Sequence, residues 1–164
     1  MKPSPISPLP PAPLAPEGNI LVIGTGNTLR QDDGVGPYVA RQVAELGLPG
    51  VRTLVSAQLN PEHAELLAAA RLVVFVDASV SPGRRVGLQP VAAAPSLQLT
   101  THAAEPGTLL ALTRDLYDRV PEAWSLTIPA DRLGFGEEFS PLAWLGVEAA
   151  MDEVTTLLRS RTGC

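Results

Sequence analysis

The sequence predicts a three-layer α/β/α sandwich around a mainly parallel twisted sheet, and three observations predict it. From residue 19 onward, short apolar runs alternate with segments of helical periodicity. The apolar runs show little alternation with polar residues, which is typical of parallel strands covered by helices on both faces. The chain has 164 residues and is 45% hydrophobic, so it can bury the core of one ordinary domain.

The first half of the domain is predicted to contain a strand, a helix, a second strand and a second helix. Residues 19–25 (NILVIGT) are a short run rich in branched side chains, which indicates a buried strand. Residues 36–48 follow at helical period, with Pro37 in the first turn, where its missing N–H costs nothing. Residues 51–56 (VRTLVS) predict the second strand, and residues 61–70, opened by a proline, predict the second helix.

The second half continues the alternation. Residues 71–78 (RLVVFVDA) contain five consecutive apolar residues and predict the third strand. Residues 84–93 predict a weaker strand at a sheet edge, because Pro90 cannot donate a hydrogen bond to a neighbouring strand. Three elements close the chain: a helix at 106–120, a strand at 122–130 and a long helix at 141–160.

Residues 1–18 differ in composition from everything that follows. The stretch MKPSPISPLPPAPLAPEG is mostly Pro, Ser, Ala and Leu and lacks the continuous apolar segment of a secretory signal. Its prolines favour extended polyproline II structure without a core. We therefore expect a disordered Pro-rich arm at 1–18 and a single α/β domain at 19–164. No apolar run is long enough to span a membrane.

Charge and cysteine content narrow the function classes. The net charge is −5, and Lys and Arg are scattered, which argues against a nucleic-acid-binding or membrane-binding surface. The single cysteine, Cys164, cannot form an internal disulfide, which fits a reducing compartment. It is also poorly placed to be a nucleophile. The chain has no Gly-x-Ser-x-Gly elbow, so water activated by carboxylates or by a metal is the simpler chemistry.

The segment IGTGNTLRQDDGVG, residues 23–36, suggests either a phosphate cradle or an acidic site. Gly24 and Gly26 fit the first two positions of the dinucleotide fingerprint, but Leu29 occupies the third. The second strand ends without the acid that would bind a ribose, and no Lys-Ser/Thr pair forms a P-loop. The adjacent aspartates would also repel a phosphate. Nucleotide binding is therefore the weaker interpretation.

Four residues support the acidic interpretation. Asp32 and Asp33 follow the first strand, Asp77 ends the third, and His102 lies in the loop after the fourth. If the first and third strands are neighbours, these side chains meet at the carboxyl edge of the sheet, where ligands bind in such folds. Two carboxylates and an imidazole are plausible ligands for a borderline divalent ion such as nickel or zinc.

Each candidate also has a structural alternative. Asp33, and more so Asp32, could be a helix N-cap. Asp77 could cap the turn after its strand. His102 could be an ordinary loop histidine.

The motifs resemble those of the [NiFe]-hydrogenase maturation endopeptidases. GTGNTLRQDDGVG is similar to the family signature, VVFVDA to its third strand with an acid, and THAAEPGTLLAL to its histidine segment. SLTIPADRLGFGEEFSP resembles the C-terminal part, so the resemblance extends from about residue 19 onward. The stretch SAQLNPEHAELL departs from it, because many relatives have a glycine-rich turn there. The Pro-rich arm also lies outside the pattern.

The resemblance implies a cytoplasmic endopeptidase that removes the C-terminal extension of a [NiFe]-hydrogenase large-subunit precursor after nickel insertion. It implies that Asp33, Asp77 and His102 are the catalytic and metal-binding residues, and that the substrate supplies the nickel. We expect a monomer without a nucleotide. The metal could polarise the scissile carbonyl or only dock the substrate, or Asp33 and Asp77 could share a proton in an aspartic-type mechanism. The other interpretations are a non-catalytic nickel-binding maturation chaperone and, less favoured, a nucleotide-binding α/β enzyme.

Overall fold

The computed structural model describes residues 19–81, 83, 85–95 and 104–163. Within these residues the predicted strands and helices occur in the predicted order. The strands are β1 (Ile20–Thr25), β2 (Val51–Ser56), β3 (Leu72–Ser79), β4 (Gly87–Pro90) and β5 (Glu122–Pro129). The helices are α1 (Val35–Glu45), α2 (His63–Ala68), α3 (Pro106–Tyr117) and α4 (Pro141–Thr162), and a 3₁₀ turn at Gln31–Gly34 precedes α1.

The strands of the described part form one mainly parallel sheet in the order β2-β1-β3-β5-β4. The strands β2, β1, β3 and β5 are parallel, whereas β4 runs antiparallel to β5. β4 lies at the edge, as Pro90 predicted. The first and third strands are neighbours, with Gly24 in register with Val76. The carboxyl ends of β1 and β3 therefore lie side by side.

Helices cover both faces of the sheet, which confirms the predicted three layers. On one face, the even-numbered side chains of β1 and β3 pack against α1 and α4. On the other face, their odd-numbered side chains pack against α2 and α3. The strand runs lack alternation because both sets of side chains are buried. The first turns of α1 and α4 lie on the same face at the carboxyl edge, and they frame the candidate site.

Two predicted elements are much shorter in the structure, and α1 and α3 each end three residues earlier than predicted. The second helix begins at His63 rather than Pro61, because Asn60 and Pro61 carbonyls accept turn bonds from the His63 and Ala64 N–H groups. The fourth strand keeps only the four residues that pair with β5. The predicted arm at 1–18 and Cys164 lie outside the described residues. Within the described ranges, none of the helices has the length and apolarity needed to cross a membrane.

Candidate functional site

Two glycines bring the start of α1 directly onto the sheet. A Cβ atom on Gly24 would collide with the Gly36 carbonyl and would lie 2.8 Å from the Ala40 Cβ. A Cβ atom on Gly36 would collide with the Thr25 carbonyl and lie 2.5 Å from the Val76 carbonyl oxygen. Because both side chains are absent, α1 begins against the carboxyl ends of β1 and β3. The residues just before α1 are thereby placed at that edge.

Asp33 lies in the 3₁₀ turn before α1 and is half-buried. Its Oδ2 accepts a hydrogen bond of 2.8 Å from the backbone N–H of Asn27. Gly26 precedes that donor with a φ of +145°, a conformation that suits glycine, and a Cβ there would collide with the Asp33 carbonyl. The tight turn at Gly26 therefore fixes the direction of the Asp33 carboxylate.

Asp77 follows the five buried residues of β3, and its side chain is partly exposed and partly covered at the carboxyl edge. Its Oδ1 accepts a hydrogen bond of 2.8 Å from the N–H of Ala78. Desolvation by the surrounding protein raises the pKa of Asp77 to about 6, the bond from Ala78 opposes that rise, and the charge of Asp33 adds to it. The two carboxylates are thus close enough to influence each other.

This pair is suited to two kinds of chemistry. A cation between the carboxylates would relieve their repulsion, and the Oδ1 of Asp33 and the Oδ2 of Asp77 have no hydrogen-bond donor among the described residues. Alternatively, a proton shared by two nearby carboxyl groups gives an acid and a base at the same site. Both kinds of chemistry are open to this pair.

The side chain of Asp32, the neighbour of Asp33, forms hydrogen bonds that connect two segments of the fold. It is completely buried, and its Oδ2 accepts from the N–H groups of Asp131 and Arg132, both at 2.8 Å, and from the Ser140 hydroxyl at 2.6 Å. Its Oδ1 accepts from the Ser140 N–H at 2.7 Å. Burial raises the pKa of Asp32, but these hydrogen bonds outweigh it and hold the pKa below its usual value.

Asp32 belongs to a wider attachment between two segments at the carboxyl edge. We call residues 130–140, which connect β5 to α4, the anchored loop. Backbone bonds of 2.7–3.0 Å join this loop to Leu29, Gln31 and Asp32. Side chains add further bonds: Arg30 donates to the Leu133 carbonyl, and Gly134 N–H donates to the Gln31 side chain. The loop is irregular in shape but fixed in position.

The structure also decides between some of the alternatives. Neither the 3₁₀ turn nor α1 has a side-chain cap, so the N-cap interpretation of Asp32 and Asp33 is wrong. The hydrogen bond of Asp77 goes to a residue of its own strand and not to the following turn. His102 lies in 96–103, outside the described residues, so its place in the site stays a prediction. In the part of the chain that is described, no three His, Cys, Asp or Glu residues cluster as metal ligands.

Sequence reasoning missed an aromatic cluster at the same edge. Tyr38 in the first turn of α1, Phe139 at the end of the anchored loop and Trp144 in the first turn of α4 are in mutual edge-on contact. Glu137 and Glu138 lie beside them around an open hollow. Because three separate segments supply the rings, the only signal in the sequence was the position of Tyr38 and Trp144 in the first turns of two predicted helices.

Comparisons with solved structures give matches across most of the chain. The hydrogenase maturating endopeptidase HybD from E. coli is 19% identical, with a TM-score of 0.71 over 87% of this chain and 93% of that chain. The [NiFe] hydrogenase maturation protease HybD from Thermococcus kodakarensis is 23% identical, with a TM-score of 0.66 over 85% and 99%. HycI, a [NiFe] hydrogenase maturation protease from Thermococcus kodakarensis KOD1, is 22% identical, with a TM-score of 0.66 over 90% and 96%.

These likenesses show that the chain has the fold of the [NiFe] hydrogenase maturation proteases, as the sequence motifs predicted. A comparison with family models gives no match, and neither does a comparison with curated proteins.

Proposed function

We propose that this protein is an endopeptidase that removes the C-terminal extension of a [NiFe]-hydrogenase large-subunit precursor after nickel insertion. The observation that carries the proposal is the Asp33–Asp77 pair at the carboxyl edge of a sheet with the maturation-protease fold. Carboxylates placed at the edge where α/β folds bind their ligands are suited to hydrolysis. The protein acts as a monomer in the cytoplasm under this proposal and uses no nucleotide.

The nickel belongs to the substrate in this proposal. Asp33 and Asp77 each direct one carboxylate oxygen to it, and the His102 imidazole, from the segment that precedes α3, is the third ligand. Because three protein ligands leave coordination positions free, the metal stays bound to the precursor while the protease contacts it. A precursor without nickel lacks this contact, so cleavage reports that the metal is in place.

Hydrolysis also requires a base for water and an acid for the leaving amine. In the aspartic-type variant, the ionised carboxyl of the pair takes a proton as water oxygen bonds to the scissile carbonyl carbon. The protonated carboxyl then donates its proton to the departing nitrogen, and the C–N bond breaks. Because its pKa is raised to about 6, Asp77 is protonated in a larger fraction of molecules near neutral pH than an ordinary aspartate, which favours Asp77 as the proton donor. In the metal-docking variant, both carboxylates stay ionised and contact the metal.

The test compares a nickel-loaded precursor with the same precursor lacking nickel. The unsubstituted protein should release the extension from the loaded form and cut the nickel-free form poorly. Asp33→Asn, Asp77→Asn and His102→Ala should each lose most of the activity and keep the fold. Asp152→Asn is the matched control, because Asp152 is exposed on α4 and distant in sequence from every site segment. It should cut normally.

Two results would contradict the proposal. If folded Asp77→Asn protein cuts the loaded precursor at the normal rate, both variants of the mechanism fail. If the unsubstituted protein binds the loaded precursor and never cuts it, the protein is a nickel-binding maturation chaperone and not a protease.

A further inference from the structure

The aromatic cluster borders an open hollow close to the candidate site. The hollow has a volume of about 500 Å³ and is lined by Tyr38, Glu137, Glu138, Phe139 and Trp144. We call it the aromatic hollow. Its volume is large enough for one long side chain together with part of a peptide backbone.

A smaller hollow connects the aromatic hollow with the turn that carries Asp33. Its volume is about 150 Å³, and it shares Tyr38, Glu137 and Phe139 with the larger one. Its other lining residues include Thr28 and Gly34, which belong to the segment around Asp33. A Cβ atom on Gly34 would lie 3.5 Å from the Phe139 ring, so this segment packs against the cluster. A peptide in the aromatic hollow would therefore lie near the turn that carries Asp33.

The three rings of the aromatic cluster pack on one another. Ring centroids are 5.4 Å apart for Tyr38 and Phe139, 5.5 Å for Tyr38 and Trp144, and 5.0 Å for Phe139 and Trp144. Edge-on contacts at these distances are a favoured arrangement of aromatic side chains. Trp144 nevertheless remains 46% exposed, so apolar surface is left for a ligand.

The charges around the aromatic hollow are negative. Glu137 and Glu138 are exposed, and neither forms an ion pair or hydrogen bond with another residue in the described ranges. Among the residues that the structure describes, no basic side chain lines the larger hollow, and Arg41 lines only the smaller one. Aromatic rings next to two unpaired carboxylates favour a cation on an apolar stem, which describes arginine and lysine side chains.

We propose that the aromatic hollow binds an arginine or lysine side chain of the precursor in an extended segment of its chain. This inference rests on the proposed function for the identity of the partner. The apolar stem packs on the rings, and the charged group pairs with Glu137 and Glu138. The contact contributes to substrate binding and takes no part in bond cleavage, so it should affect KM and not kcat.

Binding is tested first without any cleavage, using short peptides. The chain has two tryptophans, so the Trp124→Phe protein reports Trp144 fluorescence alone. Acetyl-Ala-Arg-Ala-amide is compared with the same peptide carrying citrulline, which keeps the shape and lacks the charge. The arginine peptide should bind roughly tenfold more tightly at low salt, and the difference should shrink at high salt. Calorimetry on the unsubstituted chain gives a second measurement.

Paired substitutions identify the groups that recognise the charge. Glu137→Gln with Glu138→Gln should abolish the preference for arginine. Glu45→Gln with Glu148→Gln removes the same number of charges from exposed positions outside both hollows and should leave the preference intact. Equal binding of the arginine and citrulline peptides would overturn the inference. Self-association that Trp144→Gln removes would make a second copy the occupant and would also overturn it.

The precursor assay separates this inference from the proposed function. With nickel-loaded precursor, the Glu137→Gln/Glu138→Gln protein should show a KM raised roughly tenfold and an unchanged kcat. If the protein prefers the arginine peptide but never cuts the precursor, only the proposed function fails. If it cuts the precursor and shows no preference for arginine, only the present inference fails.

Discussion

Replacing Asp32 by asparagine tests whether this buried carboxylate holds the anchored loop. The substitution keeps the size and shape of the side chain and removes its charge. The carboxylate accepts four hydrogen bonds, three of them at Oδ2 and one at Oδ1. Asparagine has one acceptor oxygen and an amide that can only donate. Even in its better orientation, the amide nitrogen would face the Ser140 N–H, now 2.7 Å from Oδ1.

The expected cost follows from this geometry. One buried N–H loses its acceptor, which costs about 1–3 kcal/mol. The three remaining bonds change from charge-assisted to neutral and become weaker. We therefore expect the free energy of unfolding to fall by about 3 kcal/mol. For a domain of this size, that corresponds to a melting temperature lower by roughly 6–12 °C.

Urea and thermal unfolding at several pH values measure this effect. The folded-state pKa of Asp32 lies below its usual value, so its ionised form stabilises the fold. The contribution is fully present above the unfolded-state pKa of about 3.9 and is lost as the pH falls through the lower folded-state pKa. The stability difference between the two proteins should be constant at neutral pH and should shrink below about pH 4.

Asp33→Asn is the matched control, because Asp33 is the adjacent residue, is half-buried and accepts one backbone hydrogen bond, from Asn27. We expect it to change the free energy of unfolding by less than about 1 kcal/mol. An Asp32→Asn protein that loses less than about 1 kcal/mol would refute the anchoring role. Equal losses in both proteins would show that the role is not specific to Asp32.

Three further predictions concern Asp77, Gly26 and the N-terminal arm. The folded-state pKa of Asp77 is raised to about 6, so ionisation of this residue opposes folding as the pH rises from about 4 through 6. Asp77→Asn should therefore raise the melting temperature of metal-free protein at pH 8. The difference in melting temperature between the two proteins should disappear near pH 4. An unchanged melting temperature at pH 8 would argue against the raised pKa. Gly26→Val should lower the melting temperature and the activity, because Gly26 has a φ of +145° and a Cβ would collide with the Asp33 carbonyl; a stable, active variant would argue against the tight turn. Deleting residues 1–17 should leave the melting temperature nearly unchanged, because the residues of both core clusters in the described part lie between Ile20 and Leu158. A fall of several degrees would show that the arm packs on the domain.

Much of the fold was predictable because it depends on local patterns. Strands buried on both faces appear as uninterrupted apolar runs, and helices that cover them carry one apolar face, so the alternation of β1 to α4 followed from residue order alone. The placement of Asp33 and Asp77 at one edge also followed, since the parallel strands that precede them are neighbours. Element ends were less predictable, because the turn at Asn60 and Pro61 depends on individual backbone bonds.

The different roles of Asp32 and Asp33 were not predictable, although the two residues are adjacent and alike. Asp32 receives its hydrogen bonds from residues about 100 positions later in the chain, beginning with Asp131 at a separation of 99. No pattern within the glycine-rich segment contains that information. The aromatic hollow was missed for the same reason, because Tyr38 and Trp144 approach each other only after α1 and α4 have packed on one face of the sheet.

The attachment of the anchored loop to the segment at residues 29–32 has a consequence for protein engineering. Backbone groups of each segment are the hydrogen-bond partners of the other, and Asp32 completes the set. A chimera that imports only one segment, with a different backbone path, from a relative would leave donors and acceptors of the other segment without partners. The two segments form a single transplantable unit, and exchanging both together is the way to transfer substrate preference without losing the fold.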